Sequence, residues 1–248
     1  MQMIEIRRLS FSYGEEKVLS DLSFQAEGEE SIGIVGANGV GKSTLLKIMV
    51  GILPEYEGEI LIGGLTAEKK HMAKIREKVG YVFQDSESQL FMSNVYEDVA
   101  FAPRNYGYTE EEVEKRVERA LDLVHIQDIK GKQIYRLSGG QKKLASIATI
   151  LATDPQIILL DEPSVALDPR NRRNLIHIIN DLPCMKIIAS HDLDMIWDTC
   201  DRTILLSDGK IAADGKTKEI LSKKELLEEN GLELPMFVAG QQSRMEIR

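Results

Sequence analysis

Ser31-Ile32-Gly33-Ile34-Val35-Gly36-Ala37-Asn38-Gly39-Val40-Gly41-Lys42-Ser43-Thr44 decides how the rest of the chain is read. Ser31 to Val35 is a short strand pattern that runs into a glycine-rich loop, and Lys42 to about Val50 then reads as a helix. Gly36 to Ser43 matches G-x-x-x-x-G-K-[ST] between that strand and that helix. Glycines let backbone N–H groups curl around phosphates, and the helix amino terminus adds oriented donors and a favourable dipole. Lys42 is placed to reach β and γ phosphates and the Ser43 hydroxyl to sit on Mg²⁺, with Asn38, Gly39, Gly41 and Thr44 completing the loop. The plainer alternative is a glycine turn capping an ordinary helix; the strand before and the helix after argue against it.

Outward from this loop, Met3 to Tyr13 and Asp21 to Ala26 alternate apolar and polar residues as half-buried strands do, with a turn at Tyr13-Gly14-Glu15-Glu16 between them. Residues up to Gly64 are turn-rich, and Val79 to Phe83 reads as a strand. Thr109 with Glu112 forms a capping box, and Val113, Val117, Ala120, Leu121 and Val124 fall on one helical face and read as core. Ser138 opens a helix reaching about Thr153, followed by apolar strands at Ile157 to Leu160 and Lys186 to Ala189. Strands alternating with helices, several of them continuously apolar, predict an α/β fold with a largely parallel sheet covered on both faces. The tail after Lys223, rich in Glu and Lys, reads as a small helix and a frayed end.

Asp161 and Glu162 close the apolar strand Ile157 to Leu160. A pair of acids there is by itself more often a solvated strand end. Beside a phosphate loop it reads as a metal site: Asp161 coordinates Mg²⁺ through water, and Glu162 polarises the attacking water.

The 248 residues suffice for one large α/β domain. A net charge of −9 argues against a nucleic-acid-gripping protein. Cys184 and Cys200 lie in no metal-ligand spacing and read as idle thiols of a reducing cytosol. No apolar run reaches the roughly 18 residues of a bilayer span and no signal-peptide layout opens the chain, so any membrane role is expected to be peripheral.

Leu137-Ser138-Gly139-Gly140-Gln141 precedes the acid-ended strand and resembles the signature motif of ABC (ATP-binding cassette) ATPases. Physically it is a second phosphate-binding helix start: a hydroxyl, two glycines and a helix dipole. Other elements follow in family order. Tyr13 resembles the aromatic that stacks on adenine. Gln84 is similar to the Q-loop glutamine that meets Mg²⁺ and the attacking water, Ser164 to Asp168 occupies the D-loop position, and His191 resembles the switch histidine at the γ-phosphate. The resemblance covers roughly residues 1–220, and the ATPase domain is expected to span 1–222. It implies a P-loop NTPase with a RecA-like parallel core sheet, an antiparallel β subdomain and a helical subdomain at about 85–150, with residues 223–248 as a short tail. It also implies a head-to-tail dimer in which ATP on one phosphate loop is capped in trans by Ser138, Gly139, Gly140 and Gln141 of the other copy. Homomeric and paralogous dimers are both compatible with intact motifs.

Gln89-Leu90-Phe91 and Val95 to Pro103 resemble the ATPases of energy-coupling-factor importers, a branch that includes cobalt, nickel and vitamin uptake systems. The resemblance implies a place at the cytoplasmic face of the membrane, a transmembrane energy-coupling subunit docked in the Q-loop groove, and a separate membrane protein that binds substrate. Leu, Phe, Val and Tyr side chains of this stretch would form an apolar seat for the partner's helix, or simply pack the helical subdomain. Three departures stand out. Asp85 replaces the branch's usual Asn. Leu144 follows Lys142-Lys143 where Arg is common, which implies a missing charged contact. Val165-Ala166 makes a bulky D-loop. The alternatives to an importer ATPase are a soluble ABC ATPase acting on DNA or ribosomes, which would carry a long coiled-coil insertion or two cassettes, and a non-hydrolysing switch, which would lack Glu162 or His191.

Overall fold

The computed structural model describes residues 2–240. In chain order the strands are β1 (Gln2–Tyr13), β2 (Glu16–Glu27), β3 (Ser31–Val35), β4 (Glu57–Ile62), β5 (Leu65–Thr66), β6 (Val79–Val82), β7 (Ile157–Asp161), β8 (Met185–Ala189), β9 (Arg202–Ser207) and β10 (Lys210–Lys216). The helices are α1 (Lys42–Met49), α2 (Met72–Arg76), α3 (Val95–Asn105), α4 (Glu110–Leu123), α5 (Gly139–Leu151), α6 (Pro169–Asp181), α7 (Leu193–Thr199), α8 (Thr217–Ile220) and α9 (Lys224–Glu229). The chain forms two compact units, one of residues up to Arg76 together with those from Met185 onward, the other Glu77–Cys184.

The first unit holds two sheets. An antiparallel one runs in the order β2-β1-β4-β5, with Ile4 opposite both Ala26 and Ile62, and Ile6 opposite Phe24 and Ile60. Alternate residues of these strands are buried, so one face is core, as the two-residue period of a half-solvated sheet requires. In the other sheet β3 lies between β8 and β9, parallel to both, and β10 closes the edge antiparallel to β9. All of Ser31–Val35 and Met185–Ala189 is buried, which is why those runs lack a polar face.

In the second unit β6 and β7 pair in parallel, Gly80 beside Ile158 and Val82 beside Leu160. Gly80 is forced by helix packing: a Cβ there would sit 1.9 Å from Ile150 of α5. Helices α3, α4 and α5 pack on one another. Val113, Val117, Ala120, Leu121 and Val124 are all buried, each Val or Leu adding about 1.5–3 kcal/mol. Both halves of the Thr109–Glu112 capping box are formed.

Several stretches depart from the sequence reading, which assigns no element at β5, α2, α6 or α7; two strand regions differ most. Glu57–Ile62 is a strand, although Gly51, Pro54, Gly58, Gly63 and Gly64 make its surroundings read as turns; its hydrogen bonds come from β1, far away along the chain, and from β5 just after it. Residues 202–216 form β9 and β10, where the sequence reading assigns no element; β10 carries Lys, Asp and Gly and is half-exposed throughout. The small helix of the tail is α9, and residues 241–248, the expected frayed end, lie outside the described residues. Among the described residues no helix is long and apolar enough to cross a membrane.

Candidate nucleotide site

In the first unit the phosphate loop leaves the carboxyl end of β3. Gly41 is the N-cap of α1 with φ +104° and no side-chain cap, so the first amides of the helix are not taken by a capping side chain. A Cβ at Gly41 would stand 2.5 Å from Leu19 of β2. Lys42 folds back across the loop, its Nζ donating to the carbonyls of Gly36 at 2.8 Å and Ala37 at 3.1 Å. That ammonium is buried, and burial is tolerated because acceptors surround it. Ser43 is half-buried at the helix start and Thr44 is buried; Asn38 and Gly39 form the exposed tip. The tip opens on a cavity of about 420 Å³ that Asp208 and the end of α9, Glu229 and Asn230, also line. The tail's place at the loop was not legible from its charged composition.

His191 belongs to the same edge. It follows β8, parallel neighbour of β3, and the turn is tied by Ser190 N to Ile34 O at 3.1 Å. Asp192 then caps α7 by accepting from Met195 N. Phosphate loop and histidine thus leave the carboxyl ends of adjacent parallel strands, the edge at which open α/β sheets bind ligands. Tyr13, at the end of β1, is half-exposed and stands edge-on to Phe11 at 4.8 Å, leaving ring surface for stacking.

In the second unit the carboxyl ends of β6 and β7 bring Gln84, Asp161 and Glu162 to one edge. Asp161 and Glu162 are buried and Gln84 is exposed. The Tyr81 hydroxyl donates to Asp161 Oδ2 at 2.8 Å. Burial first, then the charge of Asp161, holds this phenol far above its ordinary value, so it remains a donor. Glu162 has φ +44° and Ala166 φ +63°, a left-handed backbone that is uncommon outside glycine. Asp168 caps the next helix. Its Oδ1 accepts from Arg170 N and Asn171 N, both at 2.9 Å, starting α6 with Pro169 in the first turn.

The signature turn carries a second capping box. Ser138 Oγ accepts from Gln141 N at 3.3 Å and Gln141 Oε1 accepts from Ser138 N at 3.1 Å. The carboxamide oxygen of Gln141 also accepts from Lys132. Gln141 therefore builds the turn, while Ser138 and Gly139 are exposed and a Cβ on Gly139 would meet nothing closer than 4.0 Å. Gly140 faces inward, where a Cβ would lie 2.7 Å from Asn171. The S-x-x-Q spacing was the available signal for this box.

The departures resolve differently. Asp85 caps the turn at Ser86–Ser88, accepting from Glu87 N and Ser88 Oγ, and these bonds lower its pKa. Leu144 is buried, and the neighbouring Lys143 donates its Nζ to the carbonyls of Phe83 and Gln84. Burial lowers the Lys143 ammonium to about 8, with Asp85 and Asp161 opposing. The two readings of the apolar stretch divide residue by residue. Leu90, Val95 and Val99 are core, and Arg104 and Lys130 cover the Tyr96 ring. Phe91 and Phe101 are exposed and stacked edge to face at 4.8 Å.

A phosphate-loop unit with a parallel sheet, an antiparallel sheet beside it, and a helical unit bearing a signature turn define an ATP-binding cassette. The family profile described as ABC transporter matches residues 19–165, and the chain belongs to that family: it is an ABC transporter ATP-binding subunit, an ATPase. It is 43% identical over 239 residues, 96% of each chain, to a Geobacter sulfurreducens protein named provisionally as an ABC transporter ATP-binding protein. It is 40% identical over 95% of its length, and 88% of the relative's, to the energy-coupling factor transporter ATP-binding protein EcfA of Carboxydothermus hydrogenoformans. Among solved structures, CbiO1 of Clostridium perfringens, described as part of the ABC transporter complex CbiONQ, superposes with a TM-score of 0.83 at 33% identity, covering 97% of this chain and 99% of that one.

Proposed function

We propose that this chain powers an energy-coupling-factor-type importer from the cytoplasmic face of the membrane, for a metal ion such as cobalt or nickel or for a vitamin. The observation that carries this reading is the likeness to EcfA along nearly the whole chain, and the exposed Phe91–Phe101 pair supports it as a seat for a transmembrane partner. Residues 1–222 act as one ATPase domain with a helical subdomain at about 85–150, and 223–248 as a short tail.

Two copies, or this chain and a paralogue, close head to tail on ATP. Lys42 and the loop amides of Asn38, Gly39, Gly41, Ser43 and Thr44 bind the phosphates, and Tyr13 stacks on adenine. Ser138, Gly139 and Gly140 of the partner cap the γ-phosphate, with Gln141 shaping their turn. Glu162 takes the proton of the attacking water, Gln84 orients that water and His191 holds the γ-phosphate. Asp168, through α6, sets the D-loop. Ser43, Gln84 and Asp161 offer only oxygen donors, which suits Mg²⁺; the ion would neutralise phosphate charge. Catalysis is then largely positioning and electrostatics.

Purification from detergent tests the reading. A small transmembrane protein and a substrate-binding membrane protein are expected to accompany the chain. Recovery with nucleic acid or ribosomes instead would contradict it.

A further inference from the structure

The segment after β6 is fastened to α5 at three points. Lys143 Nζ donates to Phe83 O at 3.0 Å and to Gln84 O at 2.8 Å. Gln89 makes the second fastening: its Oε1 accepts from Phe83 N at 3.1 Å, and its Nε2 donates to Ser146 O at 2.7 Å and Thr149 Oγ1 at 2.9 Å. Lys142 pairs with Glu87 at the surface. The first of these is the costly one, because Lys143 is only 3% exposed and a buried cation persists only where its donors are met. The same helix begins at Ser138, so one rigid element holds both the signature turn and the backbone from which Gln84 projects. Gln84, Gly139, Lys142 and Lys143, with Val165 and Ala166 of the D-loop, line a cavity of about 430 Å³.

We propose that Lys143 is a positioning residue for ATP hydrolysis: by holding the Phe83 and Gln84 carbonyls it fixes the Gln84 side chain relative to the Ser138-Gly139-Gly140 turn. This rests on the roles given above to Gln84 and Ser138. The cation stands one residue ahead of Leu144, so this chain keeps a charge on α5 while burying an apolar side chain at the next position.

The test compares Lys143→Met, Lys143→Arg and Gln84→Ala in the full chain, reading kcat, KM for ATP, affinity for a fluorescent ATP analogue and amide hydrogen exchange over 83–90. Lys143→Met is expected to lower kcat about tenfold or more, since small misplacements of positioning groups cost that much, with analogue affinity within about twofold of the parent and faster exchange at Phe83. Lys143→Arg, which keeps charge and donors, is expected to recover most of the loss. A parental kcat in Lys143→Met, an equal loss of nucleotide affinity, or an Arg variant no better than Met would each overturn the proposal. Where Lys143→Met does not fold, Lys143→Gln is held to the same criteria. If Gln84→Ala itself keeps parental turnover, the role of Gln84 fails and the inference with it; if Gln84→Ala is slow while Lys143→Met is not, only the inference fails.

Discussion

The Tyr81 hydroxyl lies 2.8 Å from Asp161 Oδ2, donated from one parallel strand to the carboxylate that ends the next. Tyr81 stands beside Leu159 in the register, so its side chain reaches forward along the sheet edge to the acid two residues on. A carboxylate proposed to bind metal is thereby oriented by a hydrogen bond from the neighbouring strand. Tyr81→Phe keeps the ring and removes one donor. The expected outcome is a loss of about 1 kcal/mol in stability and a roughly tenfold higher Mg²⁺ concentration for half-maximal nucleotide binding, read by titrating Mg²⁺ against a fluorescent ATP analogue. An unchanged Mg²⁺ titration would show that the bond serves folding alone.

Gly41→Ala places a Cβ against Leu19 at a backbone angle of φ +104°. Strain of about 1–3 kcal/mol is expected, together with a displaced loop. Thermal unfolding should show the loss of stability, and ATP affinity should fall more than Tm alone accounts for. Parental affinity in a destabilised variant would separate the loop's geometry from binding.

Phe91→Ser combined with Phe101→Ser removes the exposed aromatic pair and leaves Leu90, Val95 and Val99 in the core. Exposed substitutions of this kind shift stability by about 0.5 kcal/mol or less. Basal ATPase activity of the isolated chain should stay within about twofold, while recovery of a transmembrane partner from detergent is lost. Undiminished recovery would place the docking surface elsewhere.

How much of this was legible beforehand depends on how local each feature is. The phosphate loop, the acids at the end of β7 and the α4 core face are written in consecutive or helically spaced residues, and the structure contains the corresponding elements. Strand β4 was not legible because it is made by pairing, chiefly with the distant β1 and then with the two-residue β5, and β10 because an edge strand with few apolar residues shows no two-residue period. The Tyr81–Asp161 and Lys143–Gln84 bonds join residues 80 and 59 positions apart, where no spacing rule applies. The apolar stretch 89–103 stayed open between seat and core for a related reason: composition marks Leu90, Val95, Phe91 and Phe101 alike, and only packing decides which of them face solvent.

Cys200 is buried, and burial pushes its thiol up to about 12, with the Thr199 hydrogen bond opposing. Only the thiolate reacts, so Ellman's reagent at pH 8 should label the native protein far more slowly than the protein in guanidinium. The folded pKa lies above the unfolded one, so this group's contribution to stability is complete below about pH 9 and declines as pH rises toward 12. Rapid native labelling at Cys200 would contradict its placement between α7 and β3.

The most direct measurement is a structure of the Glu162→Gln variant loaded with Mg-ATP. Replacing the general base should abolish turnover and hold the closed dimer. The account predicts one ATP per interface, with Lys42 Nζ of one protomer and Ser138 Oγ of its partner on the same triphosphate. A closed assembly in which those two groups meet different ligands, or a variant that still hydrolyses ATP at the parental rate, would contradict it.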